Sequence, residues 1–362
     1  MKILLIGEFS GLHLNLKAGL QALGHEVTIA AYMDGFKKIP IDITLGGLYK
    51  GFTGKIEKFI KPLYYLNSLK GFDVIQLINA NYFWHKFNYD RFIVNRLIDN
   101  NGKSFLLAAG CDSFFWKYGR DRLKYAPFND NLLYDYKSSN VNYERKSWLQ
   151  WNTDLVDKVD GVIPIMYEYQ QAYRHCHNIK PCIALPVDVD TIPYLENTVK
   201  DKLVVFHGLN RYGYKGTRFV EEAFKTLNAR YPDKLELIID GNMPLSEYLE
   251  LMSRSNVVID QLWSHSNGMN GVYALAMGKV VLGGAEQESL QMLGVKTSPV
   301  INLTPDANSI VVAIEVLLAQ VDQFPVLGFH SRKFAEQIHG HITVAQQYIN
   351  AWNCSGVEKN SE

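Results

Sequence analysis

KILLIGEFSGLHLNLKAGLQALGHEVTIA, residues 2–30, decides the architecture. KILLIG (2–7) is an unbroken apolar run, as expected of a parallel strand buried on both faces. After it come apolar residues at helical spacing, then Gly24, then a second strand. Strand, helix and strand at this length make a right-handed βαβ unit. The alternation continues through VIQLI (74–78), SFLLAA (104–109) and GVIPI (161–165). PCIALPVDVDTIPYLENTVKDK (181–202), with three prolines and a charged end, reads as a boundary. A second series follows it: LVVFHG (203–208), LELIIDG (235–241), NVVID (256–260), KVVLGG (279–284) and PVINL (299–303). The expected fold is α/β, with two doubly wound domains in tandem. Ligands of such sheets sit beyond the carboxyl ends of the strands, so the loops there hold the candidates.

The bulk numbers agree with that reading. A chain of 362 residues is long enough for two domains, and 47% hydrophobic residues supply a core for each. Lys plus Arg and Asp plus Glu are both 37, which argues against a nucleic-acid partner held by global charge. Four cysteines do not make a disulfide framework in a chain this long. MKILLIGEFSG is too short and too soon interrupted for a secretory signal peptide. No apolar run approaches the roughly 20 residues that span a bilayer, so a soluble, cytoplasmic protein is expected. HCHNIKPC (175–182) has metal-ligating residue types but no Cys-x2-Cys pair, and no metal is expected.

Five loops carry the candidates. In GEFSGLHLNL (7–16), Gly11 would let a substrate approach the backbone at a helix start, and His13 could contact it; a plain turn with a structural histidine is the other reading. In HGLNRYGYKGTRFVEEA (207–223), Arg211 and Lys215 stand among Gly208, Asn210, Gly213 and Gly216, which suits a diphosphate. A solvated basic turn is the alternative. Thr217 is placed to cap the next helix. In DGNMP (240–244), Gly241 and Asn242 could hold a nucleotide base, with Ser246 capping the helix beyond. In SHSNGMNGVYALAMGKVVLGG (264–284), Asn267, Gly268, Met269 and Asn270 open a helix of about ten residues whose N–H groups would face a ligand. In AAGCDSFFWKYG (108–119), Asp112 could orient a hydroxyl or act as a base, or simply cap the next turn.

Taken together, these segments resemble the retaining glycosyltransferases of the GT-B fold, most strongly from HGLNRYGYKGT through SNGMNGVYALAMGKVV and on into SRKFAEQIHGHITVAQQY. The resemblance implies two Rossmann-like domains facing a central cleft. It implies an acceptor domain over 1–190, a donor domain over 191–328, and C-terminal helices over 329–362 that cross back to the first domain. It implies transfer of a sugar from a nucleoside diphosphate sugar to a glycan or lipid-linked acceptor, with no cofactor or metal. Arg211 and Lys215 match the family's diphosphate cations, with Gly208, Asn210, Gly241, Asn242 and Asn267–Asn270 around the donor, Gly11 and His13 on the acceptor side, and Asp112 where a substrate-contacting residue is often found. His265 and Tyr273 fall where the family's motif places two donor-site acids eight positions apart, the first at the donor end and the second on the ribose; the Tyr273 phenol could hydrogen-bond the ribose without a carboxylate's charge, so the nucleotide is held differently or less well. A GT-B-like protein that binds without catalysis, and a sugar-nucleotide epimerase, are the competing readings.

One further stretch is amphipathic. GKIEKFIKPLYYLNSLKGF (54–72) puts Ile56, Phe59, Ile60 and Leu63 on one helical face and Lys55, Lys58 and Lys61 on others. It reads either as a helix packed on the sheet or as a basic patch resting on anionic lipid at the cytoplasmic membrane face. Pro62 would start or kink it.

Overall fold

The structure, a computed structural model, describes residues 1–33, 35–83, 89–136 and 142–354. The chain divides into two compact units. One comprises Met1–Arg122, Asn142–Pro186 and His341–Glu362; the other comprises Leu123–Val141 and Val187–Gly340.

The first unit is built on β1 (Lys2–Ile6), α1 (Leu12–Ala22), β2 (Glu26–Tyr32), β3 (Ile43–Gly46), α2 (Gly51–Tyr65), β4 (Val74–Leu77), α3 (Tyr89–Asp99), β5 (Lys103–Ala108) and α4 (Ser113–Arg122). After the short α5 (Phe128–Asp130), which belongs to the other unit, it resumes with α6 (Lys146–Lys158), β6 (Gly161–Pro164) and α7 (Tyr167–Tyr173). Its six strands lie in the order β3-β2-β1-β4-β5-β6, all parallel. Ile3 to Ile6 of β1 are fully buried, as the unbroken apolar run requires of a central strand. β3 escapes the sequence pattern because ITLG is only four residues long and half-buried.

The second unit contains β7 (Leu203–Gly208), α8 (Tyr212–Lys215), α9 (Thr217–Arg230), β8 (Leu235–Asp240), α10 (Leu245–Ser253), β9 (Val257–Ile259), α11 (Met269–Ala276), β10 (Val280–Gly283), α12 (Gln287–Met292), β11 (Ile301–Asn302), α13 (Ala307–Leu318) and α14 (Phe324–Phe334). Its sheet runs β11-β10-β9-β7-β8, again parallel. Val205, Val257, Ile259 and Leu282 from the strands pack with Val220, Leu227, Ile310 and Ile314 from α9 and α13. The last helix, α15 (His341–Asn353), packs on α1 in the first unit. No single helix among the described residues is long and apolar enough to cross a membrane.

Several local expectations are corrected. α10 begins at Leu245 with Pro244 as its N-cap, so Ser246 lies inside the helix. α9 is entered through Gly216 at φ 72°, and Thr217 turns inward to His207 instead of capping. Pro62 lies near the end of α2, and the helix starts at Gly51. α2 does pack on the sheet, against β3, but through its other side; Ile56, Phe59, Ile60 and Leu63 lie on its exposed side, with the Phe59 ring also resting against Tyr89. Of the tail assigned to 329–362, α14 stays with the second unit. Arg332 fixes it there by donating to the carbonyls of Val189, Ile192 and Ala276, each at 2.8 Å. Residues 355–362 lie outside the described residues.

Candidate functional site

Where strand order reverses in a parallel sheet, successive crossovers leave on opposite faces and a crevice opens at the carboxyl ends. In the second unit that point lies between β7 and β9. The loop after β7 delivers Lys215 there, and the first residue after β9 is Asp260. Lys215 Nζ stands 3.6 Å from Asp260 Oδ1, and both groups are buried. Asp260 Oδ2 accepts the Gly268 N–H at 2.7 Å, so this carboxylate caps α11. Beside them His207 is fully buried, with Nδ1 on the Ile259 carbonyl and Nε2 on the Thr217 hydroxyl, both at 3.0 Å. Burial, helped by the Lys215 charge, pushes its pKa down to about 3. The neutral ring therefore donates from Nδ1 and accepts at Nε2.

Arg211 sits at the outer edge of the same loop. Its guanidinium lies 3.8 Å above the Tyr214 ring. With Asn210, Tyr212 and Asn242 it lines an open pocket of about 360 Å³ that Tyr134 and Asp135 also border. Those two belong to the 123–141 excursion. Asp135 accepts the N–H groups of Gly213 and Tyr214 at 3.1 and 2.9 Å. Asp130 accepts from Arg218 Nε at 2.8 Å and Trp263 Nε1 at 3.0 Å. Gly213 is obligatory here, because a Cβ would come within 2.2 Å of the Asp130 carbonyl oxygen.

The glycines expected to admit a ligand admit the protein itself. A Cβ on Gly208 would lie 1.8 Å from the Tyr248 hydroxyl, and one on Gly241 would lie 1.8 Å from the Leu209 carbonyl oxygen. Gly268 backs onto Asp260. Met269 is buried, Asn270 is half-buried, and Asn267 keeps a buried Oδ1 without a hydrogen bond among the described residues.

Neither Tyr273, expected at the ribose, nor His265, expected at the donor end of the site, is open in this structure. Tyr273 is 3% exposed and belongs to the packed side of α11. His265 is buried and stacks on Tyr125, with ring centroids 4.3 Å apart and planes 14° from parallel. Tyr125 donates to Glu286 at 2.7 Å. Burial raises the Glu286 pKa, but the hydrogen bonds from Tyr125 and Asn302 outweigh it and hold the carboxyl below its usual range.

The acceptor-side candidates are likewise internal. Gly11 has φ 87° and precedes α1, but its N–H and that of Leu14 go to the buried Glu8 carboxylate at 2.6 and 2.9 Å. His13 is fully buried. Its Nδ1 donates to the Gly7 carbonyl at 2.6 Å, and its Nε2 is 3.2 Å from Gln76 Nε2. Burial lowers its pKa to about 4. Asp112 has no exposed surface; it accepts the Phe115 N–H at 2.8 Å and the Tyr173 hydroxyl at 2.6 Å. Burial raises its pKa to about 6. Its geometry is that of a helix cap, not of a group in reach of a substrate hydroxyl.

Sequence reasoning missed Glu8, Asp130, Asp135, Asp260 and Glu286. Glu8, Asp260 and Glu286 are acids placed shortly after a strand, a pattern that could have drawn attention to them. Asp130 and Asp135 gave no comparable pattern.

No protein-family model and no curated protein matches the chain. Solved structures do. It is similar to the sucrose-phosphate synthase of Thermosynechococcus elongatus, at TM-score 0.63 and 16% identity over 97% of this chain and 98% of that one. It is similar to a glycosyltransferase of Rickettsia africae, at TM-score 0.59 and 12% identity over 99% of both chains. It is also similar to Anabaena HepE in complex with UDP, at TM-score 0.58 and 13% identity over 97% and 99%. At these identities the likeness speaks for architecture: two parallel-sheet, Rossmann-like units in one chain give this protein the GT-B fold.

Proposed function

We propose that this chain is a glycosyltransferase that moves a sugar from a nucleoside diphosphate sugar to an acceptor hydroxyl, with retention, in glycan or cell-surface polysaccharide synthesis. The observation that carries the reading is the Arg211 loop. Arg211 and Asn210 from this loop, with Asn242 from the loop after β8, line one pocket at the carboxyl ends of β7 and β8. Ligands of open parallel sheets bind at this end, and a planar guanidinium suits a diphosphate. HepE, which shares the fold, is described in complex with UDP and with UDP-glucose. As the glycosidic bond breaks, negative charge collects on the departing diphosphate, and fixed cations lower that barrier. Arg211 takes this role most directly. Lys215 adds to the local field, but its charge is already balanced by Asp260. The reading calls on no metal and assigns the acceptor to the glycan or lipid-linked class. Incubation with a panel of nucleotide sugars and analysis of the products tests it. Release of nucleoside diphosphate with an acceptor product of retained configuration is expected, falling at least about tenfold in Arg211→Ala. Absence of turnover across the panel overturns it.

A second reading has its own observation. The starts of α1, α4, α8 and α11 are held by Glu8, Asp112, Asp135 and Asp260, and His265 and Tyr273 replace the motif's acids. A protein arranged this way could bind a nucleotide or sugar without turning it over. Binding without turnover would favour this reading.

A further inference from the structure

Helix α2 packs with its polar side inward. Gly54, Glu57 and Pro62 are its buried residues. Glu57 Oε2 accepts the N–H groups of Gly47, Leu48 and Tyr49 at 3.0, 3.0 and 3.2 Å, and Oε1 pairs with Lys61 at 2.8 Å. Gly54 sits so close to the Tyr49 carbonyl that a Cβ would come within 2.2 Å of it. Tyr89 donates to the Phe59 carbonyl and Tyr32 to that of Lys58. These contacts fix the helix's rotation and leave its apolar side outward. Phe52, Ile56, Phe59, Ile60, Leu63 and Tyr64 form one stripe at positions i, i+4, i+7, i+8, i+11 and i+12. Phe52 is 77% exposed and Tyr64 75%. Leu48 and Tyr49 extend the stripe just before the helix.

We propose that this face docks on the surface of a bilayer carrying anionic headgroups. The stripe would enter the boundary between headgroups and acyl chains, with the two tyrosines at its polar edge. The charge fits one occupant. Residues 48–66 contain four lysines and a single acid, Glu57; Lys61 is paired with that acid, and Lys50, Lys55 and Lys58 leave the rim with an excess of positive charge. An anionic membrane meets that rim with opposite charge. A second copy of the chain would set lysines against lysines. The surface lies within the first unit, and the inference does not rest on sugar transfer.

Co-sedimentation of the intact protein with vesicles tests it. Phosphatidylcholine vesicles with about a third phosphatidylglycerol should carry the protein down, pure phosphatidylcholine much less, and added salt should reverse the binding. Phe52→Ser with Ile60→Ser should weaken binding at least about tenfold. Lys50→Gln with Lys55→Gln should weaken it about thirtyfold. Both variants should keep the wild-type Tm, because all four side chains point outward. A wild-type protein that stays in the supernatant, or a serine variant that binds undiminished, overturns the proposal. So does light scattering that finds a dimer abolished by the serine pair while vesicles capture nothing.

Discussion

At the scale of single residues, the chain's own carboxylates stand where ligand anions were expected. Asp260 is the most consequential. It balances Lys215 at 3.6 Å and caps α11 through Gly268. Asp260→Ala would remove the carboxylate facing the buried Lys215 ammonium and leave the Gly268 N–H without this acceptor, a loss of about 3 kcal/mol. A clear drop in the urea midpoint of the second unit's transition is the expected result, and an unchanged midpoint would contradict the assignment. Gly208→Ala should also destabilise, since its Cβ would meet the Tyr248 hydroxyl. A wild-type Tm in that variant would show that the ring can step aside. The sequence singled out Arg211 and Lys215 because cations among glycines after a strand are a local pattern. It could not reveal that Gly208, Gly241 and Gly268 are small to fit the protein's own atoms. Those partners lie elsewhere in the chain, and spacing carries no information about them.

At the scale of elements, the strands of both sheets were legible from their apolar runs, and LVVFHG matches β7 residue for residue. Short elements such as β3 and the four-residue α8 were not, because their stability comes from neighbours more than from their own pattern. The return of α15 to the first unit depends partly on a buried polar chain. Trp352 Nε1 donates to Gln76 Oε1 at 3.2 Å, Gln76 Nε2 donates to His13 Nε2, and His13 donates to the Gly7 carbonyl. Gln76→Leu removes the middle link and strands two buried polar atoms, at about 1–3 kcal/mol each. Trp352→Phe removes a donor and strands one. Urea unfolding should therefore rank wild type, Trp352→Phe and Gln76→Leu in falling order if only the polar chain is affected. Equal stability of Gln76→Leu and wild type would show that the chain contributes nothing.

At the scale of the whole molecule, the sequence divided the protein at 190 and 329, whereas the chain passes from one unit to the other after residues 122, 141, 186 and 340. The excursion over 123–141 was invisible because nothing in its composition tells which sheet it will pack on; its attachment runs through Asp130, Asp135 and Tyr125 to residues 78 to 161 positions away. Each unit also buries a histidine whose pKa is pushed far down by burial, His13 in the first and His207 in the second, and this gives the protein a pH signature. His207, at about 3 in the folded state against 6.5 in the unfolded chain, binds its proton only on unfolding. Its contribution to stability is therefore complete above pH 6.5 and declines by about 1.4 kcal/mol per pH unit below it. His13 acts in the same direction in the first unit, but Asp112, raised to about 6, takes up a proton in the folded state and offsets it below pH 6. Hydrogen exchange corrected for intrinsic rate should thus show β7 and β9 loosening more than β1 and β4 between pH 7 and pH 5. Equal protection of both sheets across that range would contradict it. The central claim concerns the Arg211 cavity, and calorimetric titration of nucleoside diphosphates into the wild type and Arg211→Ala tests it most directly. The account predicts saturable binding of at least one nucleoside diphosphate, weakened at least about tenfold by the substitution at unchanged Tm; no binding by the wild type, or equal binding by both proteins, would contradict it.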